Sequence, residues 1–276
     1  MLEKCLASIF KYTHDIAFEV IVVDNNSNDN TTGMVKDIFP QVNLIANGFN
    51  AGFAKANNQG LQQAGGEYVL FMNPDMEFHE NTLKKMSDLM NERSDVFAST
   101  CRLQYPDGER QNNIKRLPGF FSQLLILLKL HHFLSFLPPM RKYLYKNFDY
   151  TKEQKVENIM GAFVFARRNE FIKLGSWNEK YWLWWEDVDL CKRAEKANKI
   201  ILYTPITKVT HYEGKSFEQV ASPAKQKRFI RGMLTYFKKH HTFTEYFFLL
   251  FLSPVSIALA YVTHLLRIKP RPQSKV

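Results

Sequence analysis

The apolar positions of the chain change period several times before residue 115. Leu2, Leu6 and Ile9 fall on one helical face, which predicts a helix over residues 2–12. After it, short runs rich in β-branched and aromatic residues alternate with segments of helical period. They predict strands within 18–27, 42–47, 67–75 and 96–103, and helices within 31–39, 51–64 and 80–92. Strands that alternate with helices predict an α/β fold with a mainly parallel sheet.

The same rhythm returns in the second half of the chain. It predicts a strand and a helix within 156–176, a helix over 186–197, a strand over 199–205 and a loop over 209–216. Between the halves, residues 117–147 are apolar, aromatic and bounded by prolines. Two interpretations of this middle segment are open: helices over a substrate cleft, or a patch that faces a membrane.

An uncharged apolar segment lies near the end of the sequence. Residues 246–266 contain no Lys, Arg, Asp or Glu, and about 20 such residues are enough to span a bilayer. Pro254 and Ser256 interrupt the segment, and both flanks are basic, so the charges give no orientation. We expect membrane contact, through a pair of in-plane or re-entrant helices at least as readily as through a span. The alternative is a helix buried against the body of the protein.

The positive charge of the chain is concentrated at the same end. The net charge is +10, and the last 52 residues carry ten Lys/Arg against one acid. A basic patch suits nucleic acid or anionic lipid. Because these bases flank an apolar run and do not alternate with aromatic residues along a groove, we expect lipid and no nucleic acid as the partner.

Cysteine usage and the first residues bear on the compartment. Cys5, Cys101 and Cys191 are isolated and form no CxxC pair, which argues against a disulfide framework or a zinc cluster and favours a reducing cytosol. Residues 1–15 lack the basic start, apolar run and cleavage site of a signal peptide. The glycine fingerprint of a dinucleotide-binding oxidoreductase is also missing.

Polar residues stand directly after two predicted strands, at the edge where open α/β sheets bind ligands. Asp24 ends VIVVD, where its carboxylate can accept from a nucleobase or a ribose hydroxyl, and Asp75 ends NPD after YVLFM. Asp75 offers the hard oxygen that Mg²⁺ or Mn²⁺ takes when phosphates complete its shell. Gly48 and Gly52 permit a close approach of the backbone to a phosphate. Each segment also suits an ordinary turn or helix cap.

A second group of candidates lies after residue 176. All four tryptophans fall within residues 177–185, immediately before the acidic pair Glu186 and Asp187. Aromatic faces stack on sugar rings, although core packing accounts for at least one of these rings. One acid of the pair can cap the following helix while the other faces a cleft as a base. His211 is a candidate second metal ligand, but a lone histidine is more often structural.

Six motifs follow one another along the chain: VVDNNSNDNT, NAGFAKANNQG, EYVLFMNPD, GAFVFARR, WWEDVDLCKR and HYEGKS. In this order the chain resembles the family-2 inverting glycosyltransferases, and most of all their rhamnosyltransferase-like branch, which builds bacterial surface polysaccharides. The resemblance covers about residues 2–216. It implies an α/β fold of the GT-A (Rossmann-like) type, with a mainly parallel sheet flanked by helices and an apolar helical tail.

The resemblance also implies a role for each candidate residue. The donor nucleotide would lie against Asp24, Asn25, Asn47, Gly52, Phe53, Asn57 and Asn73. Mg²⁺ or Mn²⁺ would bind Asp75, with His211 in reach of the metal or the diphosphate. Asp187 would be the catalytic base, paired with Glu186, and Trp184 and Trp185 would position the acceptor.

The implied activity is inverting transfer of a sugar, with L-rhamnose as the first expectation, from a dTDP- or UDP-sugar to a saccharide or lipid-linked saccharide. We expect a cytoplasmic enzyme on the cytosolic face of the inner membrane, peripheral or anchored by its C-terminal segment. Four regions are predicted: a nucleotide-sugar-binding half at 1–115, an apolar helical segment at 116–155, an acceptor half at 156–216 and a membrane-associating tail at 217–276.

The chain departs from the family pattern at its start. Family members open with a strand of the VSVVIVTYN type, which precedes the helix predicted here at 2–12 and lies in the centre of the sheet. We therefore expect two strand edges without a neighbour. The alternative to an active enzyme is a truncated, catalytically inactive protein that binds a nucleotide sugar or a partner.

Overall fold

The computed structural model describes residues 1–212 and 223–265. The strands are β1 Ile21–Asp24, β2 Asn43–Ala46, β3 Tyr68–Met72, β4 Met76–Phe78, β5 Val96–Gln104, β6 Ile114–Lys115, β7 Gln154–Lys155, β8 Asn158–Ile159, β9 Phe163–Arg167 and β10 Ile200–His211. The helices are α1 Leu2–Tyr12, α2 Thr31–Ile38, α3 Phe53–Gln63, α4 Thr82–Glu92, α5 Phe120–Leu127, α6 Pro138–Leu144, α7 Arg168–Lys173, α8 Glu186–Lys196, α9 Pro223–His240 and α10 Phe243–Leu265, with a 3-10 turn at Leu130–His132. Residues 213–216 of the predicted loop and the basic end at 266–276 lie outside the described residues.

The larger sheet is mixed, which corrects the expectation of a mainly parallel sheet. Its strand order is β3-β9-β5-β10-β4, and β7 also pairs with β10. Within it β5 and β10 are parallel, whereas β9 runs antiparallel to both of its neighbours and β4 antiparallel to β10. The difference arises because β9 lies between β3 and β5 with the opposite direction, which no periodicity in the sequence specifies. The α/β class itself is confirmed.

The first two strands form a parallel pair of their own, without a hydrogen-bonded neighbour in the larger sheet. Helices on both faces bridge this pair to β3. On one face α3 lies over β1, with Gly60 beside Val23, while its Leu61 packs in the cluster that contains Phe71 of β3. On the other face α1 contributes Leu6 to the cluster of the parallel pair and Ile9 to that of the larger sheet. The two sheets therefore hold together through buried helical side chains.

The predicted loop at 209–216 begins too early, because β10 continues to His211. Val209 pairs with Phe78 of β4 on one side and with Leu103 of β5 on the other. The irregular register between Thr204 and Lys208 separates the predicted strand from this second half. A bulge of this kind breaks the apolar run without ending the strand.

The described part of the apolar segment near the end forms a single helix, α10, and not a pair of helices. Pro254 lies inside this helix. The hydroxyl of Ser253 donates to the carbonyl of Leu249 at 2.7 Å. The helices α9 and α10 pack against each other and form a helical hairpin. By length and composition alone, α10 could cross a membrane.

A buried carboxylate fastens this helical hairpin to the body. Asp189 on α8 is fully buried and lies 2.8 Å from both Lys239 Nζ and His240 Nε2 of α9. Arg193 Nε donates to its other oxygen at 2.7 Å, and the Tyr181 hydroxyl donates at 3.3 Å. Burial by itself raises the pKa of Asp189, but the hydrogen bonds from these bases outweigh it and hold that pKa well below its usual range.

We expect Asp189→Asn to lower the free energy of unfolding by about 3–5 kcal/mol, because it leaves the largely buried guanidinium of Arg193 without its carboxylate. Urea denaturation at pH 7 measures this change. The lowered pKa makes the contribution of Asp189 complete above its unfolded pKa of about 3.9, so the difference from the parent chain should shrink as the pH falls below that value. Asp88→Asn, which removes the half-exposed partner of Lys84 on α4, is the matched control. If both variants lowered the free energy of unfolding equally, the proposed role of Asp189 in holding the hairpin to the body would be contradicted.

Candidate active site

Four candidate residues lie where strands of the fold end or begin. Asp24 is the last residue of β1, and Asn73 and Asp75 lie in the short turn between β3 and β4. His211 is the last residue of β10 and pairs with Met76, the residue after Asp75. Strand pairing between β10 and β4 therefore brings His211 to the turn after β3, across more than 130 residues of chain.

Asp75 and His211 form a buried pair. His211 Nε2 lies 3.3 Å from Asp75 Oδ1, and both side chains are almost fully buried. The amide of Asn73 lies 3.4 Å from the same imidazole nitrogen. The Tyr212 N–H donates to the carbonyl of Asp75 at 2.9 Å, which fixes the turn against the end of β10. Three candidates from two distant motifs thus converge on one point.

Gln111, a residue that the sequence analysis did not single out, orients His211. It is fully buried, and its Oε1 lies 2.8 Å from His211 Nδ1. With the amide in this orientation, Nδ1 carries the proton and donates it, so that Nε2 keeps its lone pair on the side of Asp75. This arrangement presents one carboxylate oxygen and one imidazole nitrogen to the same space.

That donor pair fits a divalent cation that a substrate helps to hold. Across residues 1–212 and 223–265, no three His, Cys, Asp or Glu side chains cluster into a complete metal site. Mg²⁺ and Mn²⁺ bound to nucleotides need only one or two protein ligands, because phosphate oxygens and water supply the rest. A histidine that donates its other N–H to an amide oxygen is also the usual arrangement of a metal-ligating histidine.

The acidic pair opens α8, and its two members differ in environment. Asp187 Oδ2 accepts from the Gly161 N–H at 2.9 Å, and its Oδ1 accepts from the Val188 N–H at 2.8 Å. Burial raises the pKa of Asp187, and these backbone hydrogen bonds offset part of the shift. Burial and the neighbouring Asp187 raise the pKa of Glu186 well above its usual value. Glu186 therefore favours its neutral form, and Asp187 is the partly accessible member of the pair.

One short backbone segment joins the two acidic positions. Gly161 donates to Asp187, and the carbonyl of the next residue, Ala162, accepts from the Asn73 N–H at 3.0 Å. The backbone approaches α8 closely at this point, since a Cβ on Gly161 would lie 3.3 Å from the Cβ of Asp187. The carboxylate of Asp187 and the Asp75 turn thus lie at the same end of β3, two hydrogen bonds apart.

The candidate nucleotide-binding residues lie around the ends of β1 and β2. Asp24 is buried, and its Oδ2 accepts from the Ser27 N–H at 3.1 Å. The amide of Asn47 donates to Asn25 at 3.0 Å and exchanges hydrogen bonds with Gln59 of α3. These amides therefore join the loops after both strands. Asn57, also on α3, donates to the carbonyl of Phe53.

Gly52 sets the contact between this loop and the tryptophan-rich segment. The φ angle of Gly52 is +84°, a conformation that favours glycine. A Cβ at this position would also clash with the carbonyl oxygen of Trp182, at a distance of 2.5 Å. That carbonyl accepts from the Phe53 N–H at 2.9 Å. The Phe53 ring itself packs edge-on against Trp177 in the core. The loop after β2 and the segment before α8 therefore border the same region.

The four tryptophans divide between core and surface. Trp177 and Trp185 are buried, and Trp185 packs against Phe229 and Tyr236 of α9. Burial of Trp185 favours a packing role over contact with an acceptor, as core packing was expected to account for at least one ring. Trp184 is partly exposed and packs against the same cluster.

The backbone before the acidic pair is held in an unusual conformation. Trp184 and Trp185 both have positive φ, 63° and 71°. Bulky residues rarely adopt this conformation, and each instance costs about 1–3 kcal/mol that the surrounding packing must offset. Such backbone strain is concentrated at functional sites, and here it fixes the direction in which α8 starts.

Comparison with known proteins identifies the family of this chain. A family model described as glycosyl transferase family 2 matches residues 1–171. The N-acetylglucosaminyl-diphospho-decaprenol L-rhamnosyltransferase of Mycobacterium tuberculosis (strain ATCC 25618 / H37Rv) is 26% identical over 230 residues, which cover 78% of this chain and 73% of that protein. The rhamnosyltransferase WbbL of Escherichia coli (strain K12) is 22% identical over 208 residues, covering 72% of this chain and 74% of WbbL.

Solved structures resemble the fold. GalNAc-T7, crystallised with UDP, GalNAc and Mn²⁺, matches with a TM-score of 0.58 at 16% identity, over 84% of this chain and 44% of that chain. The mannosyltransferase PcManGT from Pyrobaculum calidifontis, in complex with GDP-Man and Mn²⁺, matches with a TM-score of 0.53 at 17% identity, over 95% of this chain and 69% of that chain. At these identities the likeness shows the fold, which is GT-A. Because the family model covers well over half of the chain, the protein belongs to glycosyl transferase family 2 and is similar to its rhamnosyltransferases.

Proposed function

We propose that this chain transfers a sugar from a nucleotide-sugar donor to an acceptor hydroxyl with inversion of configuration, and that Asp187 is the base. The observation that carries the proposal is the Gly161–Ala162 segment, which holds Asp187 on one side and the Asp75 turn on the other. An inverting displacement needs a base on the acceptor side and charge stabilisation on the leaving-group side, and these two positions offer them.

The donor would lie along the ends of β1, β2 and β3. The nucleotide is assigned to Asp24, Asn25, Asn47, Gly52, Phe53, Asn57 and Asn73. L-rhamnose on a dTDP carrier is the first candidate, because two relatives are named as rhamnosyltransferases. A UDP-sugar is the second, because a structure of TarS, a neighbour in fold, was solved with UDP-GlcNAc.

Asp75 and His211 would hold Mg²⁺ or Mn²⁺, and Gln111 would keep the imidazole nitrogen available. When bound, the metal neutralises negative charge on the departing diphosphate. Asp187 would accept the proton of the attacking hydroxyl, for which a raised pKa is an advantage as long as the carboxylate is ionised. Glu186 would remain neutral beside it and so would not compete for the proton. Trp184 would position the acceptor, supported by the buried Trp185.

The acceptor would be a saccharide on a lipid carrier or a growing polysaccharide. The Mycobacterium relative is named for a lipid-linked substrate, N-acetylglucosaminyl-diphospho-decaprenol. Trp184 packs in the same cluster as residues of α9 and α10, which places the acceptor side next to the apolar hairpin. We therefore assign the enzyme to the cytosolic face of the inner membrane. The alternative of an inactive binding protein is not favoured, because the acids and the histidine from distant motifs are assembled at one place.

Asp187→Asn should lower kcat by about 10²–10⁴-fold, because the amide cannot accept the hydroxyl proton. Binding of the nucleoside diphosphate should stay within a few-fold of the parent chain. The kcat is measured by the release of free nucleotide from a panel of dTDP- and UDP-sugars. Binding of the nucleoside diphosphate is measured by isothermal titration calorimetry. Asp37→Asn, at an exposed position on α2, should leave both unchanged. Undiminished turnover by Asp187→Asn would exclude it as the base.

Gln111→Met should weaken Mn²⁺ binding in the presence of UDP by about 10–100-fold, because the imidazole of His211 loses the partner that fixes its tautomer. Free Mn²⁺ can be followed by electron paramagnetic resonance, without turnover. Gln123→Met is the matched control, since Gln123 is equally buried but lies on α5. A folded Gln111→Met protein with the Mn²⁺ affinity of the control would refute the role of Gln111.

A further inference from the structure

The helix α10 exposes its large apolar side chains, unlike a surface helix of a soluble protein. Three of the four buried residues on its inward face are small, Ser253, Ser256 and Ala260, and the fourth is Leu249. Large apolar residues on the opposite face point outward, and the Phe251 side chain is 74% exposed. Only 22% of an 18-residue apolar stretch of α10 is buried. In water the apolar side of a helix is the side that packs inward, whereas small residues face the protein where the surroundings of a helix are lipid.

This exposed surface continues onto α5. The Phe248 ring of α10 lies 6.2 Å from Phe120, and Phe120 lies 5.2 Å from Phe121, which is 63% exposed. Farther along α10, Ser256 accepts from Gln226, whose other amide atom accepts from Lys129 just after α5. The apolar face, defined as Phe121 with Phe247, Phe248, Phe251, Val255 and Val262, therefore includes two segments far apart in sequence.

The hairpin that carries the apolar face is positively charged. Residues 223–265 contain six Lys/Arg and a single acid, Glu245. Lys227 lies over the ring of Tyr261 on α10, and Arg231 and Lys238 are exposed on α9. A broad apolar surface on a cationic hairpin complements an anionic lipid monolayer, in which acyl chains lie beneath negative headgroups. A soluble protein partner would not require this combination.

The packing of α9 decides how α10 meets the lipid. Contacts between the two helices extend from the cluster that includes Phe237 and Leu249, near the turn of the hairpin, to Lys227 beside Tyr261. A transmembrane α10 would draw the bases of α9 into hydrocarbon, where ionised side chains are strongly disfavoured. It would also separate α10 from α5. An orientation parallel to the surface avoids both.

We infer that the chain docks on an anionic membrane through this two-part apolar face, with α10 lying in the plane of the surface and not spanning the bilayer. The inference deepens the membrane contact proposed above and rests on it. It adds α5 to the contact, which assigns part of the middle segment to the membrane. It also orients the molecule, because Trp184 packs in the same cluster as α9 and α10.

Flotation of the full chain with phosphatidylcholine vesicles, with and without phosphatidylglycerol, tests the surface. We expect binding that requires phosphatidylglycerol and weakens in high salt. Phe121→Ser alone, and Phe247→Ser with Phe251→Ser, should each reduce partitioning by about tenfold or more. Ile38→Ser with Ile172→Ser removes two exposed apolar side chains from α2 and α7 and should leave partitioning unchanged. Equal binding by all variants would overturn the inference, as would lipid-free dimerisation that the phenylalanine variants abolish.

Depth measurements separate the in-plane orientation from a span. Phe248→Cys, Val255→Cys and Val262→Cys place a fluorescent label along one face of α10, and the three native cysteines are buried. The first and last positions are about 21 Å apart along the helix. Quenching by lipids brominated at different depths should give the same shallow depth for all three labels, whereas depths that change progressively along the helix would indicate a span. Neither measurement uses turnover, so a failed transferase assay and a failed docking test remain distinguishable.

Discussion

The direction of β9 is the constraint on which the site depends. Because β9 runs antiparallel to β3, the start of β9 lies beside the end of β3, and Phe163 pairs with Met72. The Gly161–Ala162 segment that enters β9 is therefore held at the Asn73 turn. From there the Gly161 N–H reaches the carboxylate of Asp187, which begins α8. A parallel β9 would place this segment at the opposite edge of the sheet and separate the two acidic positions.

Burial gives each acidic side chain a different character. Asp75 lies beside the imidazole of His211, and Asp189 is compensated by three bases, whereas Glu186 has no partner for its Oε2 within the described residues. A buried carboxyl group without a cation is held in its neutral form. Asp187 lies between these cases, with two backbone N–H groups that favour its ionised form. Four carboxyl groups thus serve different purposes because of what surrounds them.

The same helix connects the chemistry to the surface of the molecule. Asp187 and Asp189 are two residues apart on α8, one at the candidate site and the other bound to α9. Trp185, at the start of α8, packs against α9 as well. The position of the hairpin and the direction of α8 are consequently coupled through two groups of contacts: the charged contacts of Asp189 and the aromatic contacts of Trp185. A surface that docks on lipid would therefore be in rigid contact with the side of the cleft where an acceptor arrives.

Local pattern was sufficient for much of this molecule. The helices at residues 2–12, 31–39 and 186–197 follow from local patterns of apolar and charged residues, and the ends of β1 and β3 from short apolar runs followed by Asx residues. The ordered motifs indicated the family. The direction of β9, the continuation of β10 to His211 and the role of Gln111 could not be found in this way, because each depends on a partner strand or side chain about 70 to 135 residues away. The burial of Trp185 and the outward face of α10 were equally hidden, since an apolar residue has the same sequence signature whether it packs on protein or on lipid. The sequence by itself determined which groups are available, and the tertiary structure decided which of them meet, because contact depends on strand pairing and packing and not on position along the chain.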